Sequence, residues 1–213
     1  MKFTAKFILT TVIVLIIGFS TQLVNAYDNA QYGFSITPPS NWVTTNSDPF
    51  VVTFSEPNDT ARISIFIENT TLNLNDYASL GKQNLELTFK DYNYSLLSEQ
   101  NRTIGNLNCY EIVYSYTGTN NVNDNITLQI KSVIFVENQK AFVVHYITTK
   151  SNYFTYSVET EQSIVSFRIL GTTTLPSPSI PEFPSWIILP LAVITTLSAS
   201  LLIKEERKRR VQI

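Results

Sequence analysis

Residues 126–149, ITLQIKSVIFVENQKAFVVHYITT, are the stretch from which the expected fold follows. Two long runs rich in β-branched and aromatic residues flank the short polar turn within VENQKAF. Such runs favour strands, and a short polar turn between them favours a hairpin whose strands pair antiparallel. The sequence therefore predicts two neighbouring antiparallel strands over residues 126–137 and 140–149.

Further segments of the same character precede this hairpin, and each predicts a strand. They lie at residues 33–37, 50–55, 62–68, 94–103 and 110–116. The segment SEPNDTAR, residues 55–62, supplies Pro, Asn and Asp between two of them, which is typical of a turn. We therefore expect a mostly antiparallel sheet.

One segment interrupts the strands with the period of a helix. Asn75 is a candidate N-cap, and Asp76 in the first turn suits the positive end of the helix dipole. The helix would run to about residue 89, with one broad apolar face formed by Tyr77, Ala78, Leu80, Leu85 and Leu87.

A second helix is predicted to begin at Ser151 or Asn152. Its apolar side, which Glu161 interrupts, is formed by Phe154, Val158 and Val165. Helices that interrupt a mostly antiparallel sheet give an α+β sandwich, in which the helices pack on the faces of a central sheet. We therefore predict an α+β fold for the domain at residues 27–170.

The N-terminal segment has the parts of a secretory signal peptide. Lys2 and Lys6 precede an apolar run over residues 7–19, and Val24-Asn25-Ala26 offers a cleavage point. We predict a signal peptide over residues 1–26, so that the mature chain begins at Tyr27. The alternative is a retained N-terminal anchor, because residues 7–24 could almost span a membrane.

The C-terminal segment combines a spacer, an apolar run and a basic end. Residues 171–185 are rich in Pro, Ser and Thr, which predicts an extended stalk. Residues 186–203 carry no charge and would form a helix about 27 Å long, close to the hydrocarbon thickness of a bilayer. Residues 204–213 are basic, and positive ends stay in the cytoplasm. We therefore predict a single-pass cell-membrane protein whose domain lies outside.

The predicted exported part is acidic. Residues 27–185 contain 8 Lys and Arg against 15 Asp and Glu, a balance of −7. Such a surface should not favour nucleic acid as a partner. Cys109 is the only cysteine, which excludes an internal disulfide, so the apolar core must hold the domain together.

A search for catalytic or metal-binding groups finds no strong motif. His145 and Cys109 both lie within apolar strands, which is typical of buried core residues. Asp124 lies among asparagines that could offer oxygen ligands to calcium, but the loop lacks the glycine and distal glutamate of an EF-hand. Glu159 and Glu161 could in principle act as acid and base, but such neighbouring carboxylates are common on exposed helix faces. We therefore expect no enzyme activity, no cofactor and no metal.

N-x-S/T sequons mark candidate glycosylation sites on a surface protein. They occur at Asn58, Asn69, Asn93, Asn101 and Asn125. A chain so rich in Asn, Ser and Thr would contain roughly four by chance, so the sequons permit glycosylation without arguing for it.

Two segments carry a family resemblance: YGFSITPPSNWV, residues 32–43, and SIVSFRI, residues 163–169. With the order of predicted elements between them, they resemble the PsbP-like family, including its bacterial DcrB-like relatives. The resemblance implies a central antiparallel sheet with helices on both faces. Photosynthetic members serve as extrinsic subunits of a membrane complex. The matching positions, which the resemblance implies are framework residues, are Gly33, Phe34, Pro39, Trp42, Ser166 and Phe167.

Trp42 follows Pro38 and Pro39, which would force a turn after the strand at residues 33–37. We expect its indole to fold back on the sheet as a large apolar anchor. The alternative is a tryptophan in a ligand groove, for which the sequence offers no convergent polar partners.

The motif Pro181-Glu182-Phe183-Pro184 precedes the apolar run. The order of motif, span and basic tail resembles the PEF-CTERM sorting signals of archaeal surface proteins. This resemblance implies recognition by an archaeosortase, a membrane cysteine protease that would cut near the motif and discard the hydrophobic tail. The alternative is an ordinary single-pass anchor, for which stalk, span and basic tail suffice.

Two function hypotheses follow from these features. The first is a surface-displayed, non-enzymatic binding module for an unidentified protein or small-molecule ligand. The second is an accessory subunit that stabilises a membrane protein complex. A third, a hydrolase, would need an exposed nucleophile, and the sequence marks none.

Overall fold

The structure is a computed structural model that describes residues 25–119 and 125–170. The predicted stalk, membrane span and basic tail lie outside these residues, as do Asp124, the sorting motif and nearly all of the predicted signal peptide. The strands are β1 (Tyr27–Asn29), β2 (Phe34–Ile36), β3 (Val43–Ser47), β4 (Phe50–Ser55), β5 (Ala61–Asn69), β6 (Ser95–Ile104), β7 (Leu107–Thr119), β8 (Asn125–Glu137), β9 (Lys140–Thr149) and β10 (Arg168–Ile169). The helices are α1 (Leu74–Phe89) and α2 (Tyr153–Val165).

Two antiparallel sheets organise these strands. The larger has the order β3-β4-β5-β9-β8-β7-β6, and the smaller has the order β1-β2-β10. This arrangement confirms the predicted mixture of antiparallel sheet and two helices. The short strands β1, β3 and β10 were not expected, because two to five residues are too few to display a strand period.

The predicted hairpin joins β8 to β9, with Glu137 opposite Lys140. Both turn residues have positive φ, 52° at Asn138 and 59° at Gln139. A two-residue loop of this left-handed kind matches the twist of the flanking strands. The predicted turn over residues 55–62 is also confirmed, with Ser55 opposite Arg62.

β9 lies at the centre of the larger sheet, and eight consecutive residues of it are buried. Phe142, Val144 and Tyr146 join one apolar cluster, whereas Val143 and Ile147 join another. Because side chains alternate along a strand, the two clusters lie on opposite faces of the sheet. α1 covers the second cluster through Tyr77, Leu85 and Phe89. α2, β2 and the segment after α2 cover the first through Tyr153, Ile164, Phe34, Ile36 and Phe167.

The N-cap of α1 lies two residues earlier in the sequence than predicted. The N-cap is Asn73, whose side-chain oxygen accepts a hydrogen bond from the Asp76 backbone N–H at 2.9 Å, so the assignment of Asn75 as cap is wrong. Asp76 lies in the first turn, as predicted. Leu87 is 68% exposed, which corrects the predicted apolar face. It follows the buried Leu85 by two residues, which turns its side chain roughly 200° away.

The framework positions hold the smaller sheet against the core. Gly33 adopts φ 76°, and its carbonyl accepts a hydrogen bond from the Leu170 backbone N–H at 2.8 Å. The rings of Phe34 and Phe167 stack with centroids 5.8 Å apart, and both side chains are fully buried. Pro39 is also buried. The Ser166 hydroxyl accepts a hydrogen bond from the Thr37 backbone N–H at 2.7 Å.

Neither helix in residues 25–119 and 125–170 is long and apolar enough to cross a bilayer.

Candidate functional site

The apolar side of α2 points away from the protein. Phe154 is 80% exposed, Val158 70% and Val165 40%. These residues lie within about 40° of one another around the helix axis at 3.6 residues per turn. The sequence predicted them as the aligned apolar side of this helix, and an amphipathic helix normally turns that side towards its sheet. In α2 it forms an outward apolar stripe, which we call the outer face.

The opposite side of α2 packs on the sheet with fewer apolar groups. The buried residues of the helix are Tyr153, Thr160, Ser163 and Ile164. Ile164 is fully buried within the apolar cluster, and the Tyr153 carbonyl accepts a hydrogen bond from the Tyr146 hydroxyl at 2.7 Å. The Thr160 hydroxyl donates to the Tyr156 carbonyl at 2.8 Å, so this buried polar group is satisfied within the helix.

One flank of α2 is fixed by ion pairs. Glu161 accepts hydrogen bonds from Arg102 Nη2 at 2.7 Å and from Lys131 Nζ at 2.9 Å. Arg102 Nη1 also donates to Glu111 at 2.6 Å, and Glu111 is only 5% exposed. Burial alone would raise the pKa of Glu161, but the two donors outweigh it and hold the pKa below its ordinary value. The network joins β6, β7 and β8 to α2.

The other flank of α2 is fixed by aromatic and polar contacts. Trp42 is half-buried, and its ring meets that of Tyr156 edge to face at 6.2 Å. The Tyr156 hydroxyl shares a hydrogen bond with Thr60 Oγ1 at 2.9 Å. Burial raises the pKa of Glu159, and the side chain of Trp42 opposes that rise by hydrogen bonding. Trp42, which the sequence predicted as an apolar anchor on the sheet, therefore contacts α2 through its ring and also through its polar N–H.

These two flanks explain why the outer face remains exposed. Turning Phe154 towards the sheet would move Glu161 out of its present position beside Arg102 and Lys131 and would separate Tyr156 from Trp42. The present rotation also keeps Tyr153 and Ile164 buried against the sheet. The tertiary contacts of α2 therefore override its own apolar pattern.

Glu159 and Glu161 do not form a catalytic pair. They are two residues apart on a helix, so their side chains leave it roughly 200° apart. One carboxylate lies on the Trp42 flank and the other on the Arg102 flank. General acid–base chemistry needs both groups at one substrate, and this geometry does not provide it.

The described part of the chain ends five residues after Val165. Arg168 Nη1 donates to the carbonyl of Val165 at 2.8 Å, so the end of α2 and β10 are in contact. Leu170, the last described residue, is 37% exposed, and its backbone N–H donates to the carbonyl of Gly33. The predicted stalk therefore starts beside Gly33, shortly after the end of α2.

His145 and Cys109 are buried, as the sequence predicted. His145 Nδ1 lies 2.9 Å from the Ser132 hydroxyl, and burial lowers the pKa of the imidazole to about 4. Burial raises the pKa of the Cys109 thiol to about 11. A thiol that stays protonated at neutral pH is a weak nucleophile. Within residues 25–119 and 125–170, no group of three or more His, Cys, Asp and Glu side chains could hold a metal ion.

All sequon asparagines are exposed in the structure. Asn58 lies in the β4–β5 turn, and Asn69 ends β5. Asn93 precedes β6, Asn101 lies within it, and Asn125 begins β8. None of these positions belongs to α2, so glycans there would not start on the outer face.

A concavity at the N-terminal end of α1 is another candidate site. Its volume is about 650 Å³, it is open to solvent, and its lining is mostly polar. Amide side chains predominate in it: Asn73, Asn75, Asn101, Asn106 and Asn108. Of its charged lining residues, Arg102 is already hydrogen-bonded to Glu111 and Glu161, so the concavity is a weaker candidate site than the outer face.

Sequence reasoning missed the residues that orient α2. Arg102, Glu111 and Lys131 lie on neighbouring strands and face the same side of the sheet, but they are far apart in the sequence. The available signal was a charged residue in the middle of an apolar strand, such as Lys131 in LQIKSVIF. Such a residue needs an ion-pair partner when it is buried.

No family model matches this sequence, and no curated protein sequence matches it significantly. Solved structures do resemble it. The solution structure of cyanobacterial PsbP (CyanoP) from Synechocystis sp. PCC 6803 has a TM-score of 0.56 and 14% sequence identity, and covers 70% of this chain and 95% of that one. The Ran-binding protein Mog1p of Saccharomyces cerevisiae has a TM-score of 0.48 and 9% identity, over 70% and 98% of the two chains. The likeness to PsbP concerns the fold alone: the described part of the chain has a PsbP-like fold.

Proposed function

We propose that the protein is a non-enzymatic, membrane-anchored binding module that docks a partner protein through the outer face of α2. The domain is held outside the cell by the C-terminal segment, with the basic tail in the cytoplasm. The single observation that carries this proposal is the exposure of Phe154, Val158 and Val165 on one side of a helix that could have buried them.

Physical chemistry supports a docking role for this stripe. Exposed apolar side chains that form a contiguous patch commonly mark protein interaction sites, whereas isolated ones do not. Phe154 is the largest and most exposed of the three and is the natural anchor of an interface. The ion pairs and aromatic contacts of α2 hold this face in place before any partner binds, which lowers the entropy cost of association.

The absence of enzymatic activity is also a proposal. It rests on a buried imidazole, a buried thiol of raised pKa and two glutamates that diverge. None of these groups offers an exposed nucleophile with a neighbouring base.

Site-specific photocrosslinking in native membranes tests the docking role. Gln162 is exposed and flanks the outer face, so a photoreactive residue at position 162 of the full chain should give one discrete adduct. The Phe154→Asp and Val158→Asp double variant should abolish it. A photoreactive residue at Ser98, exposed on the edge strand β6, is the matched control and should give none. Equal adducts at both positions would overturn the proposal.

The alternative function is an accessory subunit that stabilises a membrane complex. One observation favours it: only five residues separate Val165, at the end of the outer face, from Leu170, after which the segment leading to the predicted span begins. An accessory subunit should co-purify with one defined membrane assembly in mild detergent. A displayed module should instead remain free when residues 171–213 are removed.

Processing by an archaeosortase-type enzyme is a separate proposal, which rests on Pro181-Glu182-Phe183-Pro184 ahead of the predicted span. Mass spectrometry of the C-terminal peptide from native cells tests it. A terminus near Pro181 that disappears when Glu182 and Phe183 are replaced by Ala would support cleavage. Peptides from residues 186–213 in the mature surface form would exclude it and leave the ordinary anchor.

A further inference from the structure

We propose that the partner of the outer face is the outer face of a second copy of this chain, so that two α2 helices pack antiparallel about a two-fold axis. This inference rests on the proposed function, because it names the partner of the same surface. Each step of it uses the positions along α2 and the charges beside them.

The spacing along α2 is that of a helix-pairing seam. Phe154, Val158, Glu161 and Val165 are separated by four, three and four residues. Alternation of three and four residues keeps one stripe of a helix facing a partner helix over several turns. α2 is thirteen residues long, which is enough for one complete set of these contacts.

The stripe is complementary to itself when it is reversed. In a two-fold antiparallel pair centred between residues 159 and 160, Phe154 lies opposite Val165 of the second copy, and Val158 lies opposite its Glu161. Of the apolar side chains of the stripe, Phe154 is the most exposed at 80% and Val165 the least exposed at 40%. A projecting large side chain therefore meets a recessed small one at both ends of the interface.

The charges permit this contact. Two Glu161 carboxylates near one axis would repel each other if they were free. Each is instead hydrogen-bonded to Arg102 and Lys131 of its own chain, and the network of these three residues with Glu111 is neutral in sum. The seam therefore carries no net charge where the two copies meet.

The apolar area of the stripe is too small for a stable pair in solution, so we expect the pair to form at the membrane. A stable interface usually buries about 800 Å² on each partner. Phe154, Val158 and Val165 supply only part of that area, so the pair is weak in dilute solution. Anchoring would confine two copies to the same membrane surface, which raises their local concentration above that in solution and favours the pair.

Cysteine cross-linking of the full-length chain in its native membrane tests the arrangement. In the antiparallel pair, the two residues at position 158 lie about 4.5 Å apart along the helix axis, whereas the two at position 154 lie about 16 Å apart. A short bis-maleimide should therefore join Val158→Cys chains into a covalent dimer and should leave Phe154→Cys chains monomeric. Co-expressed Phe154→Cys and Val165→Cys chains should form a mixed dimer. Cys109 is buried and gives little background.

The controls separate this inference from the proposed function. Ser98→Cys on β6 should stay monomeric, and Phe154→Asp added to Val158→Cys should lower the dimer at least about tenfold. Equal cross-linking at positions 154 and 158 would overturn the antiparallel pair. No dimer from Val158→Cys, with a discrete adduct still formed at position 162, would overturn the second copy as partner and leave the proposed function intact. Loss of both signals would overturn both proposals.

Discussion

Arg102 Nη2 lies 2.7 Å from Glu161 Oε1, and this contact joins the edge strand β6 to the helix α2. With the edge-to-face contact of Trp42 on the opposite flank, it sets which side of α2 meets the sheet. The apolar stripe of the helix faces solvent as a result. An interaction between polar groups thus creates the apolar surface on which the proposed function depends.

We expect residues 27–170 to fold alone, without leader or anchor, into a soluble domain dominated by sheet. Two extensive apolar clusters, one on each face of the larger sheet, are formed by residues of this range. Circular dichroism should show mainly sheet, and urea should unfold the domain in one cooperative transition. A domain that stays insoluble unless residues 186–203 are attached would contradict this expectation.

Two truncations on α2 should differ sharply in their effect on stability. Phe154→Ala removes a side chain that is 80% exposed, so the free energy of unfolding should change by less than about 0.5 kcal/mol. Ile164→Ala removes a fully buried side chain and should cost about 2 to 5 kcal/mol. Urea denaturation of both variants measures the difference. Similar losses would mean that the outer face is buried in solution.

The contact between Arg102 and Glu161 should couple the two residues measurably. A double-mutant cycle with Arg102→Met and Glu161→Gln should give a coupling free energy of about 1 kcal/mol, because both side chains retain some solvent contact. The coupling should weaken as salt rises. Additive single effects would show that this ion pair does not hold α2. Lys131→Met with Glu161→Gln is the matched second cycle.

Trp42 should contribute less to stability than a fully buried tryptophan. Its indole is half-buried against Tyr156, so Trp42→Ala should cost about 1 to 3 kcal/mol of unfolding free energy. Trp42→Phe keeps a ring but loses the hydrogen bond to Glu159, and its cost should fall between those of the wild type and Trp42→Ala. An unchanged denaturation midpoint for Trp42→Ala would show that the indole does not stabilise the fold, and would favour the alternative that Trp42 lies in a ligand groove.

The stability of the domain should fall in mild acid because of His145. Burial lowers the pKa of the folded imidazole to about 4, whereas the unfolded chain keeps the ordinary value of 6.5. Between these values the unfolded state binds the proton and the folded state does not, so the free energy of unfolding falls as pH falls. The full difference corresponds to about 3 kcal/mol. His145→Gln should remove this part of the pH dependence between pH 6.5 and 4.

The effect of His145 is the difference between the stability–pH curves of the wild type and of His145→Gln. Both curves also contain the titration of Glu159 and Glu161, whose effects on stability have opposite signs. The pKa of Glu159 is raised and that of Glu161 is lowered, so their contributions partly cancel. Parallel curves for the wild type and His145→Gln would contradict a buried neutral imidazole.

The sequence alone predicted the antiparallel sheet, its central hairpin and both helices, because these depend on local period and turn residues. The β8–β9 hairpin needs only Asn138 and its neighbours, and the strand at residues 140–149 was predicted with both ends correct. The burial of His145 and Cys109 followed from the apolar residues beside them in their strands. Local rules were sufficient for each of these features.

The tertiary structure decided the rotation of α2, and with it the candidate site. The apolar pattern of residues 153–165 aligned Phe154, Val158 and Val165 on one side, which an amphipathic helix normally turns inward, and they face out. The pattern failed because the orientation of a helix depends on everything its flanks touch. Arg102 and Lys131 reach Glu161 from strands 59 and 30 residues away along the chain. No local period encodes ion pairs of that separation, and they can be read only once the sheet has brought those strands together.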